Sequence, residues 1–131
     1  MDTRAKILST ESAVELARRV IQEGRRLTVV TGYFDVLLTA QVRELKAARI
    51  STGSGCLIAV LLPCAQSLLP ERARAEVVAG LGMIDYVVIA GNADAEEFLR
   101  RMPADNVISR QHADEEQMRL LIEHVHGRHS L

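Results

Sequence analysis

Tryptophan is missing from this 131-residue chain, and aromatic side chains of any kind are scarce, with two Phe and two Tyr. Its core must therefore be aliphatic, and any base-stacking platform for single-stranded nucleic acid would be very thin. Cysteine is nearly as rare: Cys56 and Cys64 flank the apolar run "LIAVLLP". Read as a strand rising about 3.3 Å per residue, that run keeps their Cα atoms too far apart for a disulfide. Two free thiols in a reducing compartment are expected. Charge of one sign is lacking too, since 16 basic residues face 17 acidic ones and the net charge is -1. Nothing electrostatic points to nucleic acid or to an anionic membrane as partner. No apolar run approaches the roughly 20 residues that span a bilayer, and "MDTRAKILST" has no apolar core of the signal-peptide kind. The expectation is a cytoplasmic protein with no membrane partner.

What is present is aliphatic and periodic. The length suits a single domain, residues 1–131, able to bury a core without disulfide staples. "STESAVELARRVIQEG" puts Val14, Ala17, Val20 and Ile21 on one helical face, with Ser9 or Thr10 as N-cap and Gly24 just past the end. Leu27 to Thr31 is short, β-branched and apolar, as expected of a strand buried on both faces, and "AQVRELKAARI" returns to helical spacing through Val42, Leu45 and Ala48. "CLIAVLL", "IDYVVIA" and "NVIS" read as further strands. "PERARAEVVAGLG", "ADAEEFLRRM" and "ADEEQMRLLIEHVH" read as further helices, and "ISTGSG" and "PADN" as connecting turns. Strands alternating with helices of about ten residues imply right-handed crossovers and a mainly parallel sheet. The expected fold class is α/β, a Rossmann-like three-layer α/β/α domain.

In such sheets ligands sit beyond the carboxyl ends of the strands at the switch point, and the turn after the first long strand usually meets phosphate. Here that turn is "GYFDVLLTAQ", residues 32–41, which contains no histidine, lysine or serine.

"TGYFDVLLTAQVRELKAAR" resembles the first signature of the cytidylyltransferase-like nucleotidyltransferases, in which a Gly-x-Phe-Asp turn runs into a His-x-Gly-His motif at a helix start. "RARAEVVAGLGMIDYVVI" and "MPADNVIS" follow in the order and spacing of the adenylyltransferase domain of ADP-heptose synthases, so the similarity covers nearly the whole chain. The resemblance implies transfer of a nucleotidyl group from ATP or CTP to a sugar phosphate or similar acceptor, with Mg²⁺ and release of pyrophosphate. Catalysis of that kind is positioning plus stabilisation of charge spreading over phosphates.

Carried over position by position, the resemblance keeps Gly32, Phe34 and Asp35, with Tyr33 between them, and keeps Arg74 at the family's later arginine. The two histidine positions are Leu38 and Gln41, and the glycine between them is Ala40. Leu38 offers neither charge nor a hydrogen bond. Gln41 offers only a neutral donor, worth about 0.5–1.5 kcal/mol where a charge-assisted bond gives about 1.5–3. The polar strand end of the family is replaced by Leu61, Leu62 and Pro63, the basic substrate loop by the short "PCAQSLLPERAR", and the "V-K-G" segment by Ser109, Arg110 and Gln111. Losing one preorganised donor costs about 10²–10³ in rate, and two are replaced here.

Three readings follow. One is a catalytically impaired module that binds a nucleotide or sugar phosphate, or that regulates or assembles as a homodimer or with an active relative. Leu38, Leu61 and Leu62 would then close the former mouth or form a contact patch. Another is an active enzyme holding phosphate with Gln41, Arg74, Arg110 and the helix amides near Thr39. The last is an assembly domain without a ligand, in which "GYFD" is a structural turn and Arg74 and Arg110 are solvated or paired with local carboxylates such as Glu71 and Glu76. The tail "EHVHGRHS" carries His124, His126 and His129 without a metal-ligand spacing, so no metal site is expected, and His112 is assigned no role.

Overall fold

The computed structural model describes residues 3–34, 39–63, 69–90 and 95–109. Asp35, Leu38, Cys64, Arg110, the tail histidines and the expected helix at 113–126 lie outside them. Five strands, β1 (Ile7–Leu8), β2 (Leu27–Gly32), β3 (Cys56–Leu61), β4 (Tyr86–Ile89) and β5 (Asn106–Ser109), alternate with α1 (Thr10–Gln22), α2 (Thr39–Thr52), α3 (Glu71–Ala79) and α4 (Ala95–Arg101). All pair in parallel, in the order β1-β4-β3-β2-β5. The expected Rossmann-like α/β architecture is the one observed.

Alternation along the strands builds the layers. In β3 the side chains of Cys56, Ile58 and Val60 enter one core, with Val14, Ala17 and Val20 of α1 and Phe98 of α4. Leu57, Ala59 and Leu61 enter the other, with Leu45 and Ala48 of α2 and Ala75 and Val78 of α3. A strand whose every residue is buried has no polar face, which is why β2 and β3 read as near-continuous apolar runs. Each such aliphatic side chain contributes about 1.5–3 kcal/mol when fully withdrawn from water.

The ends of the elements are set locally. Ser9 caps α1, its Oγ accepting from the Ser12 amide at 3.2 Å. The helix stops because Gly24 takes φ 74°, letting Arg25 N donate to Val20 O and Gly24 N to Ile21 O, a Schellman closure that favours glycine. Two aspartates fix strand register: Asp105 Oδ2 accepts from Leu27 N at 2.7 Å while Asp105 N donates to Leu27 O. Asp85 does the same with Leu57, at 2.8 Å.

Arg49 ties the amino edge of the sheet together. Its guanidinium donates to Gly53 O at 2.6 Å, Gly55 O at 2.7 Å and Asp85 Oδ2 at 2.7 Å.

Two sequence expectations are corrected by this frame. Strand β1 and the short 3-10 helix before it, Thr3–Lys6, were not expected; Lys6 Nζ anchors that start by donating to Ile84 O at 3.0 Å. Leu61 and Leu62 form no patch at a mouth, because consecutive strand residues point to opposite faces and each is buried in a different core.

Candidate functional site

The chain order places a switch point between β2 and β5. From β2 the crossovers run outward through β3 to β4, and the next crossover returns across the sheet to set β5 on the other side of β2. Beyond the carboxyl ends of those two strands lies the position where open α/β sheets hold ligands. Thr31 and Ser109 are register partners there, and Gly32, Tyr33 and Phe34 lead out of β2.

The Tyr33–Phe34 turn is held in an uncommon form. Phe34 has φ 51°, the left-handed region, while its side chain is buried in the core beside Leu45 and Leu61. A bulky residue at positive φ is costly and persists only where the surroundings over-determine it. Among the described residues, the charged side chain that meets this turn is Arg74. It leaves the first turns of α3 and, 41 residues along the chain from its partner, donates from Nη1 to the carbonyl oxygen of Tyr33 at 2.7 Å.

Arg74 is only 2% exposed, and its Nε is buried without a hydrogen-bond partner. The reading of Arg74 as a solvated or locally paired helix residue is therefore overturned. Glu76 instead faces Arg72 at 3.6 Å, Glu71 is exposed, and among the described residues no carboxylate forms an ion pair with Arg74. Coverage by α3 and the turn, which charge patterning along one helix does not reveal, is the physical reason.

Gln41 sits one helical turn before Leu45 on α2, 3% exposed, and is already engaged by a neighbour. Thr39 opens α2, which brings the amino terminus of that helix after the Tyr33–Phe34 turn in the chain. The described structure thus joins Gly32, Tyr33, Phe34 and Arg74 directly, while Asp35, Leu38 and Arg110 fall outside it. Among the described residues no group of three His, Cys, Asp or Glu side chains could hold a metal ion.

A groove of about 550 Å³ lies at the opposite end of the sheet, lined by Gly24, Arg25, Arg26, Ser51 and Asp105 among others. Two of its polar groups are already engaged: Arg26 donates to Ser51 O at 2.7 Å and Asp105 accepts from Leu27 N. The closing turn of α1 and the last residues of α2 also face it, and helix carboxyl ends repel anions. Topology and the bare Arg74 Nε outweigh volume in locating the site.

Comparison with known proteins bears on the fold. No family model matches the chain. The bifunctional protein HldE of Wolinella succinogenes is 28% identical over 116 residues, covering 82% of this chain and 24% of that protein. HldE of Acidiphilium cryptum is 32% identical over 91 residues, 64% of this chain and 19% of the relative. HldE of Geotalea uraniireducens is 28% identical over 95 residues, 67% of this chain and 19% of the relative. The crystal structure of the lipopolysaccharide core biosynthesis protein from Thermoplasma volcanium superposes with a TM-score of 0.55 at 18% identity, over 63% of this chain and 71% of that one. The chain has the cytidylyltransferase-like fold.

The chain spans only 19–24% of the length of these HldE relatives. Among the described residues no helix is long and apolar enough to cross a membrane.

Proposed function

We propose that this cytidylyltransferase-like domain is a nucleotidyltransferase-type module that binds a nucleotide or sugar phosphate and has lost most of the transfer reaction. The observation that carries the reading is Arg74: a guanidinium 2% exposed, whose bond among the described residues goes to a neutral carbonyl and whose Nε is bare, beside the turn that follows β2. A buried charge is tolerated when a partner completes it. An anionic ligand supplies that partner, and phosphate oxygens match the planar donor geometry of arginine. The amide groups opening α2 at Thr39 add a second set of donors of the right sign.

Loss of transfer rests on sequence. Leu38 and Gln41 stand where the family resemblance implies two histidines, and neither gives a cationic donor to charge developing on the phosphates. Mg²⁺ would arrive with the triphosphate of ATP or CTP. Assembly as a homodimer or with an active relative belongs to the same proposal. The second reading, an active transferase of AMP or CMP to a phosphorylated sugar or polyol, is favoured by one feature, the retention of Arg74, buried and with its Nε unpartnered.

Calorimetric titration with ATP and with CTP, each with Mg²⁺, tests the proposal. Saturable binding that weakens at least tenfold in Arg74→Met is expected, and equal affinity in both proteins would remove Arg74 from the site.

A further inference from the structure

Arg74 does more than line the mouth. Its Nη1 is committed to Tyr33 O at 2.7 Å, while its Nε carries a free donor. The two donors belong to one rigid planar group, so what is bound at one side fixes the orientation of the other. The peptide that Nη1 holds immediately precedes Phe34, the described non-glycine residue at positive φ. The neighbouring backbone is tied in as well: Gly32 O accepts from Leu62 N at 2.9 Å, which joins the base of the turn to the end of β3.

We infer that Arg74 is the positioning residue of the β2–α2 turn, coupling an anion held at its Nε to the backbone conformation of Tyr33 and Phe34. The inference rests on the proposed ligand-binding reading. Binding at Nε does not compete with Tyr33 O, because the two contacts use different nitrogens. An anion therefore restrains the guanidinium, and the restrained guanidinium restrains the turn. The positive φ of Phe34 makes this link useful: a backbone conformation that persists only while its surroundings hold it is one whose order reports the ligand. Lysine cannot replace it, since a single ammonium on a flexible stem does not hold two partners in a fixed relative geometry.

The test uses pyrophosphate as probe, with chloride at matched ionic strength as control, and reads amide hydrogen exchange at Tyr33 and Phe34 alongside calorimetric binding. In the wild-type protein saturation should slow exchange at these two amides about tenfold, with the amides of α1 unchanged. In Arg74→Lys, pyrophosphate should still bind, drawn by the retained charge, but without slowing the turn. Binding with no change at Tyr33 and Phe34 in the wild type, or the same slowing in Arg74→Lys, would overturn the inference while leaving the binding function standing. No binding of pyrophosphate or nucleotide to the wild type would overturn both. If Arg74→Lys fails to fold, the wild-type titration alone decides, because slowing confined to the turn is required.

Discussion

Replacing Arg74 by methionine, a side chain of similar reach without charge, should leave the protein as stable as before or up to about 2 kcal/mol more stable. The estimate comes from the surroundings of the guanidinium. Burying such an ion costs several kcal/mol even after relaxation, and Arg74 is 2% exposed. Its bond to Tyr33 O returns about 1.5–3 kcal/mol, and the bare Nε forfeits about 1–3 kcal/mol of hydration. Methionine removes the ionic penalty and adds apolar contact beside the core that Ala75 and Val78 line, and it leaves one carbonyl without its donor, at about 1 kcal/mol. Urea unfolding followed by far-UV circular dichroism, at unchanged m-value, measures the difference directly. A variant that is not destabilised yet loses anion affinity would mark a residue kept for function against stability. A loss of about 3 kcal/mol or more is what breaking a satisfied buried ion pair costs, and that result would refute the reasoning.

Three further outcomes follow from the frame. Arg49→Ala should cost about 2–3 kcal/mol by the same urea assay, because three short bonds to Gly53 O, Gly55 O and Asp85 are lost at about 1 kcal/mol net each; Arg49→Lys should recover less than half, having no planar fork. Gly55→Ala should cost about 1–3 kcal/mol, since a Cβ there would collide with the Arg26 carbonyl oxygen, and an unchanged midpoint would show that the α2–β3 turn gives way freely. Burial first, and then the charge of Asp85, push the Cys56 thiol from 9.0 up to about 11. A thiol that ionises less readily in the folded state favours folding below its unfolded pKa, and that contribution is lost as pH rises from about 9 to 11. Stability should therefore fall across that window and be flatter in Cys56→Ala, and native protein at pH 8 should resist alkylation at Cys56.

Much of the frame was legible in the sequence because its signals are local or periodic. Ser9, the 3.6-residue spacing of Val14, Ala17 and Val20, and Gly24 at positive φ delimit α1 from within a few residues. β3 announces itself as a buried strand by being apolar throughout, and β2 by its apolar, β-branched run from Leu27 to Thr31. β1 escaped notice because two residues carry no period, and its start depends on Lys6 reaching carbonyls more than seventy residues away.

The site was legible only in outline. The Gly32–Phe34 turn and Arg74 could be named from the family resemblance, but the link between them is a side chain meeting a backbone oxygen 41 residues distant. No charge pattern on α3 forecasts that contact, and a lone arginine with glutamates nearby reads as solvated. The expected leucine patch failed for the converse reason. Identity alone suggested a greasy mouth, whereas the two-residue period of the strand sends Leu61 and Leu62 to separate cores. Asp105 read as a turn residue of "PADN" and Asp85 as part of the strand "IDYVVIA", and their register-setting bonds to Leu27 and Leu57 depend on which strands become neighbours.

The most direct test of a binding module that has lost the transfer step is pyrophosphate release by protein saturated with ATP and Mg²⁺, or CTP and Mg²⁺, in the presence of a heptose or glycerol phosphate. The account predicts saturable nucleotide binding with no pyrophosphate released above the rate without protein. Sustained release that depends on the acceptor and disappears in Arg74→Met would contradict the loss of catalysis, and absence of nucleotide binding at millimolar concentration would contradict the site itself.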